Sequence, residues 1–138
     1  MTQNLNLSTG LVATGTPLAM RGYDLVSYTQ GTSPIVGSAE FAVVHEGATY
    51  YFANAANAEV FTATPARYLP SFGGFCAYGA SVGKKFDGDP TIFKLVDGRL
   101  HLNLNQEIHA AFLADVAGAV AKADAAWPSI ADKPVASL

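Results

Sequence analysis

Hydrophobic and polar positions alternate most sharply in two places along this 138-residue chain, and each is split by a two-residue turn. From Glu40, FAVVH and ATYYF flank Glu46-Gly47; further on, TIFKLV and RLHLNL flank Asp97-Gly98. Such pairs sit where a tight hairpin turn needs them, so both stretches predict β-hairpins. In the first, the turn pairs His45 with Ala48, Val43 with Tyr50 and Phe41 with Phe52 on one face, with Ala42, Val44, Thr49 and Tyr51 on the other. Both faces are largely apolar, so the second face is expected to lie under a helix, a loop or another subunit. In the second hairpin Phe93 and Leu95 face Leu100 and Leu102, which puts His101 opposite Lys94 on the far face.

The period changes elsewhere. The segment NAANAEVFTATPARY has Asn54 or Asn57 available as a cap and Val60 and Phe61 positioned to pack inward, so it predicts a short helix limited by Pro65. From Asn105, a plausible cap with Glu107 in the first turn, Ile108, Phe112, Val116, Ala119 or Val120, and Ala123 form an apolar stripe at helical spacing. This predicts one long helix to about Ala126, ended by Trp127-Pro128. In GYDLVSY, Tyr23, Val26 and Tyr28 fit a short helical turn capped by Asp24 and a strand about equally. The expected architecture is α+β: one compact domain with two hairpins forming a small antiparallel sheet, a short middle helix and a long C-terminal helix. Residues 1–15 read as a loose lead-in, 16–130 as the domain and 131–138 as an irregular tail.

A chain of this length can bury a core without disulfides or a structural metal. Only 14% of its residues are charged, so a surface partly covered by a partner, with self-association as a two-fold dimer, is expected. Eight basic against eleven acidic residues give a formal charge of −3, with no like-charge run longer than Lys84-Lys85, which argues against nucleic acid and anionic membrane. The opening MTQNLNLSTG has neither a basic nor an apolar signal region, so the expected location is cytoplasmic as the chain stands, or periplasmic if an export signal has been removed.

Candidate chemistry concentrates in GGFCAYGASVGKKFDGDP, residues 73–90, which carries five glycines and the chain's single cysteine. Glycines at that density suit a site-forming loop better than a packed core segment. Cys76 is a candidate soft metal ligand, redox-sensing thiol or nucleophile, against the alternative of a small buried hydrophobe. Lys84 and Lys85 beside glycines suit an anion, although GASVGKK lacks the spacing of a phosphate-binding loop. Asp87 and Asp89 read as a turn into the hairpin, because Pro90 leaves no place for further calcium ligands. Asp24 either orients a ligand or caps the turn that follows it. His45, His101 and His109 show no paired ligand spacing, so each is expected at a surface or boundary.

Taken together and in this order, GYDLVSY, GATYYFANAANAEVF with PARY after it, GGFCAYGASVGKKFDGDP, DGRLHLNLN and KADAAWPSI resemble the small stand-alone bacterial YHS-domain proteins, over roughly residues 21 to 130. That resemblance implies a compact α+β module related to those found beside heavy-metal transporters and some oxygenases. It carries a suggestion of metal binding and no established activity; the cysteine pairs of metal-binding relatives are absent here. The expectation is therefore a ligand- or metal-binding module with a pocket around the Cys76 loop and GYDLVSY. Its ligand residues would be Asp24, Tyr28, Cys76, Tyr78, Lys84 and Lys85, with Cys76 and Asp24 the candidates for a transition-metal ion. A thiol-dependent enzyme or redox sensor using Cys76, and a structural or oligomerisation domain, are the alternatives.

Overall fold

Both two-residue turns are built in left-handed backbone, with φ of 47° and 82° at Glu46 and Gly47, and 51° and 79° at Asp97 and Gly98. Two consecutive positive φ values give the turn whose twist matches that of paired strands. The first turn joins β1 (Ser38–His45) to β2 (Ala48–Phe52), and the second joins β3 (Asp89–Val96) to β4 (Arg99–Asn103). Helices α1 (Ala55–Ala63) and α2 (Pro65–Tyr68) follow β2, and α3 (Ala77–Ser81) precedes β3. After β4 come α4 (Gln106–Ala114) and α5 (Val116–Ile130). This computed structural model describes residues 4–8, 10–31 and 33–138.

The class is α+β, but the hairpins form two separate two-stranded antiparallel sheets where one sheet was expected. The chain groups into two units: Leu7–Leu69 with Asp97–Arg99, and Pro70–Val96 with Leu100–Leu138 and residues 4–6. We call them the N-terminal and C-terminal units.

In the N-terminal unit, β1 and β2 pair His45 with Ala48, Val44 with Thr49, Val43 with Tyr50 and Ala42 with Tyr51. The ladder then slips: Phe52 pairs with Ser38, so the expected Phe41–Phe52 partnership does not form. Gly37 explains part of the departure, because any Cβ there would meet the backbone between Tyr51 and Phe52. Close main-chain approach, which only glycine permits, takes precedence over simple alternation. On the other side of β2, Leu18 bridges to Thr49. Asn54 caps α1 through its side chain to Asn57 N at 2.8 Å, and Pro65 occupies the first turn of α2. The α1 residue Phe61 is fully buried, with ring centroids 5.0 Å from Phe52 and 5.2 Å from Tyr50. GYDLVSY resolves to a 3-10 turn over Val26–Thr29, whose first two N–H groups, Val26 N and Ser27 N, donate to the Asp24 carboxylate.

The C-terminal unit is centred on small side chains. Ala77 and Ala80 of α3 lie with Ala119 and Ala123 of α5, Phe72 and Phe112 in one buried cluster, flanked by Tyr78, Val116, Val120 and Trp127. Alanines on both helices let their backbones approach closely, and the aromatics fill the remaining volume. The expected single C-terminal helix is broken at Asp115, whose backbone (φ −154°, ψ 75°) leaves the helical region and whose side chain caps α5 at Gly118 N, 3.0 Å away. An apolar stripe at spacings of three and four residues continues across such a break, so periodicity could not reveal it. Nor does Pro128 end the helix. It lies inside α5, which continues to Ile130, and Ala131 N donates to Trp127 O. No helix of the described residues is long and apolar enough to cross a membrane.

Candidate functional site: a buried thiol, amide and imidazole

The Gly-rich segment approaches Cys76 through left-handed backbone at Phe72, Gly73 and Gly74, with φ of 52°, 62° and 85°. Glycine adopts this freely; for Phe72 it is an uncommon conformation held by the surrounding packing. Cys76 N then donates to Phe86 O at 2.8 Å, and Cys76 forms a parallel bridge with Leu102 of β4. The second strand of that hairpin therefore fixes the cysteine in place. Further along, Gly88 lets the chain pass tightly beside Gly74 O and the Leu102 side chain, where a Cβ has no room.

Cys76 is 0% exposed and caps α3, its sulfur accepting Gly79 N at 3.4 Å. On the other side, Asn103 Nδ2 donates to the same sulfur at 3.7 Å. The Asn103 Oδ1 in turn lies 2.6 Å from His109 Nδ1. Because a carbonyl oxygen only accepts, Nδ1 is the protonated nitrogen of a neutral His109, leaving Nε2 as its basic atom. Burial holds the His109 imidazole below its ordinary pKa of 6.5, and the nearby Lys94 ammonium lowers it further. The result is a hydrogen-bonded chain of thiol, amide and imidazole drawn from α3, β4 and α4.

His101, expected on an exposed or boundary face, is 1% exposed. Its Nδ1 lies 2.7 Å from Ser71 Oγ, and its ring lies 6.1 Å from Phe72 and 5.9 Å from Phe112. His101 and Asn103 alternate on β4 with Leu100 and Leu102, and all four are buried. The strand is covered on both faces, and its polar side chains bond to Ser71, Cys76 and His109. Asn103, Ser71 and the role of His109 were not singled out from sequence. The available signal was that the polar face of RLHLN carries two uncharged hydrogen-bonding side chains, which tolerate burial once partnered.

The other candidates divide between the units. In the N-terminal unit, Asp24 is fully buried and its carboxylate accepts four N–H groups: Oδ1 from Val26 N and Ser27 N, Oδ2 from Ala53 N and Asn57 Nδ2. It ties the turn after GYD to the start of α1. Tyr28 is buried in that unit. In the C-terminal unit, Tyr78 packs half-buried on the alanine cluster. The lysine pair, expected to hold an anion, grips main-chain oxygens instead: Lys84 Nζ that of Leu138 at 2.6 Å, and Lys85 Nζ those of Ala131 and Lys133, both at 2.7 Å.

These contacts decide the fit of a metal. A first-row transition ion needs three or four donors with free lone pairs. The Asp24 oxygens are each occupied by two N–H groups, and the Cys76 sulfur accepts two. Among the described residues no group of three or more His, Cys, Asp or Glu is gathered as a ligand set. The residues present do not fit the ion.

No protein-family model matches this chain, and no curated protein or solved structure matches it either.

Proposed function

We propose that this protein is a YHS-like, non-enzymatic binding module whose working surface is the first hairpin and whose occupant is a second copy of the chain. The ordered motifs from GYDLVSY to KADAAWPSI support the YHS assignment. The observation that carries the binding reading is the exposed apolar flank of that hairpin. Val44 of β1 is 49% exposed, and Ile35 and Val36, which lead into that strand, are 44% and 60% exposed; among the described residues β1 ladders with β2 alone, while Val36 bridges to Tyr23. Open strand edges bearing apolar side chains pair readily with other strands, and a two-fold arrangement closes such a contact without growing into a filament. Full enclosure of Cys76 points away from a thiol enzyme, since a nucleophile must reach its substrate.

Native mass spectrometry of the purified protein, recording subunit number and bound mass together, tests this reading. A dimer that Val44→Lys splits to monomer is the expected result. A monomer of 14.4 kDa at tens of micromolar would refute the assembly. A second reading, a redox-responsive thiol, is favoured by one observation, the donation of two N–H groups to the Cys76 sulfur. Rapid alkylation of the native protein at neutral pH would select that reading instead.

A further inference from the structure

Lys85 is 4% exposed, and its ammonium occupies an unusual seat. Its Nζ donates to Ala131 O and Lys133 O at 2.7 Å each, lies 5.2 Å from the centroid of Phe75 and 5.6 Å from that of Trp127. The two carbonyls stand just past the last turn of α5, where unsatisfied oxygens concentrate negative potential and a cation is favoured. Two aromatic faces add cation–π attraction, which strengthens as water is removed. Next to it, Lys84 holds the main-chain oxygen of Leu138 at 2.6 Å. Adjacent lysines thus hold both ends of the segment that follows α5.

The same position is tied to the thiol. Phe86, the next residue, accepts Cys76 N at 2.8 Å, and Phe75, under the ammonium, precedes Cys76. From this geometry we propose that Lys85 is a charge-dependent latch: it holds segment 131–138 as a strap, and release of the strap loosens the turn that encloses Cys76. The charge is essential because a neutral amine keeps the stem packing while losing most of the attraction to carbonyls and rings. Burial lowers the Lys85 pKa, and the Asp132 carboxylate opposes that shift. This inference is independent of the dimer reading, which concerns the other unit.

The chain's single tryptophan and single cysteine make the latch directly measurable. Lys85→Met keeps the length of the stem and removes the charge. In that variant, amide hydrogen exchange over residues 131–138 should accelerate at least tenfold, with Val116–Ala126 unchanged. Trp127 emission should shift to the red, and Cys76 alkylation should speed up at least tenfold. Lys85→Arg should hold the strap closer to wild type. Unchanged exchange over 131–138 in Lys85→Met overturns the latch, and faster exchange without faster alkylation overturns its link to Cys76. Should Lys85→Met unfold, the wild type still decides. In low urea the 131–138 amides and Cys76 alkylation should share one opening that precedes exchange of the α5 core, and a single common opening for strap and core contradicts the proposal.

Discussion

Replacing Asp24 by alanine should be among the most damaging single changes in the N-terminal unit, and the hydrogen-bond inventory gives its size. The carboxylate is fully buried and serves four donors. Ser27 N keeps an alternative, since it also donates to Asp24 O at 3.1 Å in the main chain. Val26 N, Ala53 N and Asn57 Nδ2 lose their acceptor. A buried donor left unsatisfied costs about 1–3 kcal/mol, and relaxation makes such losses less than additive, so the total should be about 4 kcal/mol. That is a large part of the ~5–15 kcal/mol that stabilises a typical domain. With an m-value of about 2 kcal/mol/M, the urea midpoint followed by far-UV circular dichroism should fall by about 2 M. Hydrogen exchange at Val26 and Ala53 should rise in step. Asp24→Asn preserves volume but turns one acceptor into a donor facing other donors, so it should cost nearly as much. If both variants lie within about 1 kcal/mol of wild type, Asp24 is not the organising cap described here, and a ligand role for its carboxylate returns.

Three further outcomes follow from other buried groups. His109 has a folded pKa below its ordinary 6.5, so the unfolded chain takes up its proton first; the stability it confers is complete above that value and declines as pH falls through the lower folded value. Urea midpoints at pH 7.5 and 5 should differ less in His109→Gln than in wild type, and an identical pH dependence would remove His109 as the source. Tyr50, desolvated by burial and facing the Glu46 carboxylate, has its phenol pushed up to about 12, so its contribution is present below pH 10 and is lost as pH rises toward 12. Absorbance titration should show a late-titrating component that Tyr50→Phe removes. His101→Tyr inserts a larger ring between Phe72 and Phe112 and breaks the bond to Ser71, so it should destabilise by about 1–3 kcal/mol, measured by thermal or urea unfolding. A neutral result would mean that the strand face tolerates repacking.

What the sequence alone determined is the set of decisions made within four residues of chain. Glu46-Gly47 and Asp97-Gly98 specify turns because their own backbone takes positive φ. Asn54 and Asn105 start helices because each side chain reaches an N–H three residues on, and Asp24 caps its own turn in the same way. Those signals are local, and they are legible before any tertiary contact forms. The slip at Phe41, the break at Asp115 and the passage of α5 through Pro128 were settled by packing. Gly37 admits the backbone of β2, and two helices tile an apolar stripe as well as one does. The candidate site was the least legible part, because its bonds join distant residues: Ser71 to His101, Asn103 to Cys76, and Lys85 to Ala131 and Lys133. An alternating strand pattern records which side chains share a face, but whether that face meets water or a polar partner depends on what folds against it. For β4 it met partners, and this is why His101, which read as a surface or boundary histidine, is buried in the C-terminal unit together with Asn103.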